Sequence, residues 1–174
     1  IRFAATAGAP TSANLSGFTF GSFWDADNRI ILEGASFADT LVGSSQRDEI
    51  IAGDGIDTIA AQGGNDTIVG GLGADIMAGD GGDDTFIFKT TADLAAGEQI
   101  FGGEGLDTLS IFSGVDFQGN TLNPFLSSIE RLLMVADNGF EAASARFDAS
   151  HVGAGLSSSL SVVNGSVVFS PAFL

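Results

Sequence analysis

A nine-residue period governs the middle of the chain. From Gly34 onward, six consecutive units carry aspartate in the sixth place and an apolar residue in the eighth. The units are GASFADTLV, GSSQRDEII, AGDGIDTIA, AQGGNDTIV, GGLGADIMA and GDGGDDTFI. After an interruption at residues 88–101, a seventh unit, GGEGLDTLS, begins at Gly102. An internal repeat of this strictness predicts an elongated architecture in which each unit is one structural element stacked on its neighbours.

The two constant places define two sets of side chains. The sixth-place aspartates are Asp39, Asp48, Asp57, Asp66, Asp75, Asp84 and Asp107. The eighth-place apolar residues are Leu41, Ile50, Ile59, Ile68, Met77, Phe86 and Leu109. Surface turns are also rich in glycine and aspartate, but turns alone do not require the same acid at a spacing of nine. We therefore interpret the aspartates as ligands of a cation.

Each unit divides into a turn and a short strand. The first six places are rich in glycine, asparagine and aspartate, which accept tight and left-handed backbone conformations. The last three places, such as Thr58-Ile59-Ala60, favour a strand whose middle side chain points to one face. One such strand cannot bury its apolar side chain alone, whereas stacked copies can. The repeat therefore predicts an all-β fold with the eighth-place residues in a thin continuous core.

The stacking also brings carboxylates together. If two units make one turn of the coil, units 18 residues apart lie directly above one another. The predicted columns are Asp39, Asp57 and Asp75, with Asp107 if the seventh unit rejoins the stack, and on the other edge Asp48, Asp66 and Asp84. Adjacent strands lie about 4.8 Å apart, and carboxylates at that separation repel by about 1 kcal/mol per pair even in water. A hard divalent cation between stacked pairs would reverse the sign of this interaction.

Calcium is the cation that these donors favour. It accepts about six to eight oxygen ligands and tolerates irregular geometry, and glycine-rich turns leave backbone carbonyls free to reach it. Magnesium holds its water more tightly, and zinc or copper prefers histidine or cysteine, of which the chain has one and none. The turn glycines expected to contribute are Gly53, Gly55, Gly63, Gly64, Gly70, Gly71, Gly73, Gly79, Gly81, Gly82, Gly102, Gly103 and Gly105.

Units such as GGLGADIMA and GGEGLDTLS resemble the glycine-rich nonapeptides of RTX (repeats-in-toxin) proteins, which Gram-negative bacteria export through type I secretion machinery. The resemblance covers residues 34–110. It implies a parallel β-roll, similar to a right-handed β-helix, in which turns on the same side bind Ca²⁺ between them. About three to five ions are expected in this chain. The resemblance also implies a secreted or cell-surface location and contact with the secretion machinery during export.

Some units depart from the family pattern. The inner glycines of the first two units are replaced by Ala35, Phe37, Ser44 and Gln46. Arg47 adjoins Asp48, and the fourth unit opens with Ala61-Gln62. We therefore predict the strongest sites between units three and five, five and seven, and four and six. Sites that use Asp39 or Asp48 are expected to be weaker.

The chain is predicted to have three regions: an N-terminal β cap at residues 1–33, the coil at 34–110 with an insert at 88–101, and a β-rich capping region at 111–174. The N-terminal strands are expected to cover the first open edge of the coil. The elements expected in the C-terminal region are strands near residues 128–133 and 159–163 and a short helix near 137–146.

The charge of the chain limits its partners. Twenty-two acidic residues stand against six basic ones, which gives a net charge of −16. Nucleic acids and anionic membranes bind positive surfaces, so neither is expected as a partner. No stretch reaches the roughly 18 apolar residues of a membrane-spanning helix, and membrane insertion is not expected.

Three classes of function remain open. The first is a module that folds when calcium binds outside the cell, because charge repulsion opposes compaction without the metal. The second is a calcium-rigidified segment of an adhesin or surface-layer protein, with residues 111–174 binding another surface protein or a glycan. The third is an enzyme, but HExxH, GxSxG and phosphate-binding glycine motifs are absent and His151 is the only histidine. We therefore predict that the chain has no catalytic residues, and that the catalytic domain of a parent hydrolase or epimerase would lie outside it.

Overall fold

The structure is a computed structural model that describes residues 1–4, 9–21, 24, 28–112, 126–135, 158–163 and 166–171. Strands and turns make up nearly all of this described part, and its only helix is a single 3-10 turn at Thr91–Asp93. The strands are short because each unit offers only a few β-forming residues between glycine-rich turns. The predicted all-β class is confirmed.

The strands form two sheets, and successive units alternate between them. The nine-stranded sheet contains, in spatial order, β1 (Arg2–Ala4), β3 (Ile30–Glu33), β5 (Asp48–Asp54), β7 (Thr67–Leu72), β9 (Thr85–Phe88), β11 (Thr108–Phe112), β13 (Arg131–Val135), β15 (Ser166–Pro171) and β14 (Ser158–Val163). The six-stranded sheet contains β12 (Leu126–Ser127), β10 (Gln99–Glu104), β8 (Ile76–Gly81), β6 (Thr58–Ala60), β4 (Thr40–Val42) and β2 (Ser12–Asn14). Neighbouring strands are parallel, except that β15 pairs antiparallel with β13 and β14.

Two units make one turn of the coil. Leu41 in β4 pairs with Ile59 in β6, and Ile50 in β5 pairs with Ile68 in β7. Units 18 residues apart in the sequence therefore stack directly on one another. This arrangement of two parallel sheets joined by turns confirms the predicted parallel β-roll.

The eighth-place residues form the core between the two sheets. All seven predicted core residues are at most 1% exposed. Leu32, Ile100 and Leu132 occupy the same place in further turns of the coil and are buried as well. A thin apolar column thus runs from one end of the described coil to the other, and each strand is stabilised by the strands stacked on it.

The interruption at residues 88–101 contains one more unit with a lengthened turn. Its strand, β10, pairs with β8, and Ile100 lies beside Met77. Glu98 occupies the sixth place of this unit and lies 23 residues after Asp75, whereas stacked aspartates elsewhere are 18 residues apart. The five additional residues lengthen the turn without disturbing the alternation between sheets.

The position of the seventh unit follows from this insertion. β11 belongs to the nine-stranded sheet, where Leu109 lies beside Phe86. The prediction that Asp107 lies above Asp75 is therefore wrong, because Asp107 stacks on Asp84. The lengthened unit occupies half a turn of the coil and moves the seventh unit to the opposite edge.

The flanks add strands to both ends of the coil. β1 and β3 extend the nine-stranded sheet, and β2 extends the six-stranded one. On the C-terminal side, β13 continues the parallel stack before the chain reverses into the antiparallel β14–β15 pair. The predicted helix at 137–146 and His151 lie outside the described residues. In the described part of the chain, no helix is long and apolar enough to cross a bilayer.

Candidate metal centre

The seven sixth-place aspartates lie where each turn meets its strand, and all are at most 2% exposed. The turn places them there because its glycine-rich backbone folds back over the coil before the strand begins. Carboxylates are rarely buried this deeply without partners. Each of their oxygens therefore requires a hydrogen-bond donor or a cation.

In five of the seven aspartates, Oδ1 accepts a backbone N–H from the preceding turn of the coil. The backbone N–H of Asp39 donates to Oδ1 of Asp57 at 2.7 Å, and that of Asp57 donates to Oδ1 of Asp75 at 2.9 Å. On the opposite edge, the same bond joins Asp48 to Asp66, Asp66 to Asp84 and Asp84 to Asp107, at 2.7, 2.8 and 2.9 Å. These bonds hold the carboxylates in two columns, as the spacing predicts.

The second oxygen has no partner in five of the seven aspartates. The buried atoms without a hydrogen bond are Oδ2 of Asp57, Asp66, Asp75, Asp84 and Asp107 and Oε1 of Glu98. A buried acceptor without a donor costs about 1–3 kcal/mol, and more when it is charged. The repetition of the same unpaired atom along the coil indicates a missing positive partner.

The first two units satisfy this oxygen internally. Oδ2 of Asp39 accepts the backbone N–H of Ala35 at 2.6 Å, and Oδ2 of Asp48 accepts that of Ser44 at 2.6 Å. Oδ1 of Asp39 also accepts the backbone N–H of Thr11. Both oxygens of each of these carboxylates are thus hydrogen-bonded within the protein, and the weaker sites expected in these units stay a prediction.

A first-place glycine lies against the free oxygen in the fifth, sixth and seventh units. A methyl group at Gly70 would overlap Oδ2 of Asp75, and one at Gly79 would overlap Oδ2 of Asp84. The carbonyl oxygen of Gly102, in the next turn, lies 2.6 Å from the same methyl position at Gly79. The lack of a side chain at these glycines therefore lets carboxylate and carbonyl oxygens approach the turn backbone closely.

The second and fourth places of units three to seven need a left-handed backbone. The residues with positive φ at these places are Gly53, Gly55, Gln62, Gly64, Gly71, Gly73, Asp80, Gly82, Gly103 and Gly105. By contrast, Gly63 and Gly81 in the third place have room for a methyl group, with nearest atoms at 3.8 and 3.7 Å. The role expected for these two glycines in metal binding stays a prediction, and close packing does not require them.

Burial raises the pKa values of these carboxyls. Desolvation, with a further contribution from the neighbouring carboxylates in each column, raises the pKa of Asp66 to about 8 and that of Asp84 to about 7. Desolvation also raises the pKa of Asp57 to about 6 and increases that of Asp75 and Asp107. Without a cation, the folded coil therefore favours protonated aspartates.

These raised pKa values predict how the metal-free protein responds to pH. A carboxyl with a folded pKa above its unfolded value stabilises the fold at low pH, and that stability is lost as pH rises through the folded pKa. In EGTA, the coil should therefore be more folded at pH 5 than at pH 8, because its stability is lost progressively between about pH 4 and 8. Circular dichroism of the metal-free chain as a function of pH measures the difference. Asp66→Asn should reduce it, and a metal-free coil that is more stable at pH 8 would contradict the prediction.

The donors fit calcium. Among the described residues, no three acidic or histidine side chains converge on one point, so backbone carbonyls must complete any coordination shell. Calcium accepts such mixed shells of carboxylate and carbonyl oxygens. The two ion pairs found within the described residues, Arg2–Glu33 and Arg29–Glu49, lie at the surface and do not involve the columns. When bound, a divalent cation would supply the positive charge that the buried oxygens lack.

Two acidic residues continue the columns beyond the predicted set. The backbone N–H of Asp75 donates to Oε2 of Glu98 at 3.3 Å, and that of Asp107 donates to Oε2 of Glu130 at 2.8 Å. The predicted set omits both because it requires aspartate at a fixed spacing. The pattern of an acid followed two residues later by an apolar residue, as in Glu98-Gln99-Ile100, is the signal that identifies them.

Comparison with protein families gives one match. The model of the RTX calcium-binding nonapeptide repeat matches residues 33–55 and 51–86, with four copies of the repeat. The matched segments contain six of the buried aspartates, from Asp39 to Asp84. Glu98, Asp107 and Glu130 lie beyond them. Searches of curated proteins and of solved structures returned no match.

Proposed function

Because residues 33–86 of this chain are RTX calcium-binding nonapeptide repeats, we propose that the coil is a module that folds when Ca²⁺ binds. The observation that carries the proposal is the set of buried aspartate oxygens that have no donor, one in each of units three to seven. Removing a charged carboxylate from water without a partner opposes folding. A cation that binds only the folded coil removes this cost and stabilises the fold.

The ions would lie between turns that stack on the same edge. We place them between units three and five, four and six, and six and seven, because these pairs contain the free Oδ2 atoms of Asp57, Asp66, Asp75, Asp84 and Asp107. Units five and seven do not share a site in this arrangement, because unit seven stacks on unit six. At a tenfold excess of calcium over Kd, each site adds about 1.4 kcal/mol, so about three to five sites decide whether the coil forms.

The chemistry suits a protein that folds after export. With a net charge of −16, the metal-free chain repels itself and stays expanded. An expanded chain can pass through type I secretion machinery, and extracellular calcium then drives folding. Extracellular modules commonly bind calcium with Kd values of about 10⁻⁴–10⁻³ M, above the concentration inside a cell. We infer a secreted or cell-surface location on this basis.

The RTX repeat is a non-catalytic, calcium-binding structure. We infer that the coil supports a larger secreted protein and carries out no reaction itself. The adhesin hypothesis requires a partner-binding surface on residues 111–174. No feature of the described residues in that region favours it over the folding module.

Calcium titration of the whole chain tests the proposal. Circular dichroism and hydrodynamic radius should change together from an expanded, β-poor state to a compact, β-rich one on addition of millimolar CaCl₂. EGTA should reverse the change, and MgCl₂ should produce little of it because magnesium keeps its own water. A chain with the same compact, β-rich spectrum in EGTA and in calcium would disprove folding on calcium binding.

A further inference from the structure

Glu98 lies in the lengthened turn that follows the matched repeats. It occupies the sixth place of its unit, next to β10, and is 1% exposed. Its Oε2 accepts the backbone N–H of Asp75 at 3.3 Å, and the carbonyl oxygen of Asp75 accepts the N–H of Gln99 at 2.8 Å. Glu98 thus takes the structural place of the aspartates, with a side chain one methylene longer.

Two oxygens at this level of the coil are buried and lack hydrogen bonds: Oε1 of Glu98 and Oδ2 of Asp75. The Asp75 oxygen lies against Gly70, where even a methyl group would overlap it. The two carboxylates repel each other, and with desolvation as the larger cause this raises the pKa of Glu98 to about 8. Each of these two acceptors, on stacked turns, lacks the donor or cation that a buried oxygen requires.

Asp93 closes the first part of the lengthened turn. Asp93 organises it, because Oδ2 of Asp93 accepts the backbone N–H of Lys89 at 2.8 Å and that of Thr90 at 3.0 Å. Oδ1 of Asp93 also accepts the hydroxyl of Thr90 at 2.6 Å. Asp93 therefore satisfies its carboxylate within the turn, whereas Oε1 of Glu98 has no hydrogen-bond partner.

We propose that Glu98 and Asp75 hold a further Ca²⁺ ion between the fifth unit and the lengthened unit, beyond the repeats that match the family. This inference rests on the proposed calcium-dependent function of the coil. The ligands would be the two free carboxylate oxygens, completed by backbone carbonyls of the two turns. Glutamate suits calcium, which accepts carboxylates through one or both oxygens and tolerates unequal ligand lengths.

The test compares Glu98→Gln with Glu104→Gln. Both variants remove one negative charge near β10, but Glu104 is exposed and its side chain lies outside the columns. The amide oxygen introduced by Glu98→Gln can still accept the N–H of Asp75, so the fold at saturating calcium should persist. Equilibrium dialysis with metal analysis counts the bound ions, and circular dichroism in the same samples reports the fold.

We expect Glu98→Gln to bind about one ion fewer per chain than the parent, and Glu104→Gln to bind the same number. A parent chain that binds no calcium would overturn the proposed function itself. A parent that binds calcium while Glu98→Gln binds the same number would overturn only the role of Glu98. Loss of the whole fold in Glu98→Gln at saturating calcium would also overturn it, because the residue would then be a structural element of the coil.

Discussion

Asp75→Asn should lower the free energy of unfolding by about 3 kcal/mol at a tenfold excess of calcium, because two of the proposed sites share this carboxylate. Asp75 stacks between Asp57 and Glu98, and its free Oδ2 lies beside Gly70. Asparagine keeps an oxygen that can accept the N–H of Asp57 but replaces the charged Oδ2. At a lower calcium concentration that still folds the coil, the loss should be smaller, since the sites are less occupied and the substitution removes a buried unpaired charge.

Asp39→Asn is the matched control, with the same change of charge in the same column. Oδ2 of Asp39 already accepts the N–H of Ala35, and Oδ1 accepts that of Thr11. Its loss should cost about 1 kcal/mol, the value of one hydrogen bond, and equally at a lower and a saturating calcium concentration that both fold the coil. Urea unfolding of both variants at these two calcium concentrations gives the four values. Equal calcium dependence in the two variants would show that the free oxygen of Asp75 binds no metal.

Gly73→Ala should destabilise the coil by at least about 3 kcal/mol at saturating calcium. Gly73 has φ +139°, a conformation that side chains rarely adopt, and a methyl group there would overlap the carbonyl oxygen of Gly55. The obstacle is backbone in the adjacent turn, which cannot rotate away as a side chain could. The turns must therefore separate, and this separation would also disturb the calcium sites between them.

Gly63→Ala provides the control for this substitution. Gly63 has no positive φ, and its nearest neighbour, the Cα of Ser45, would lie 3.8 Å from the new methyl group. Alanine at such a position restricts the unfolded chain and should stabilise the protein by about 0.4–1 kcal/mol. Thermal unfolding at saturating calcium compares the two variants. If both glycines tolerate alanine equally, the close stacking of the turns is not what requires glycine in the fourth place.

Much of this fold can be predicted from the sequence alone. A period of nine with aspartate in the sixth place and an apolar residue in the eighth predicts two sheets, a thin core and two columns of acids. The structure agrees on each of these, because a short strand has one way to bury a single apolar side chain, by stacking on identical strands. The missing inner glycines of units one and two also mark the two turns where Asp39 and Asp48 bond to the backbone.

Only the tertiary structure decided which turns are neighbours beyond the regular repeat. The sequence alone shows an interruption before Asp107, whereas in the fold the interrupting segment is a lengthened half-turn with its own acid, Glu98. Asp107 therefore stacks on Asp84, and the acid that stacks on Asp75 is Glu98. The physical reason is that stacking depends on the position of each strand in the coil and not on the number of residues between strands. A turn can accept five more residues, closed by Asp93, while the buried column of apolar side chains stays continuous.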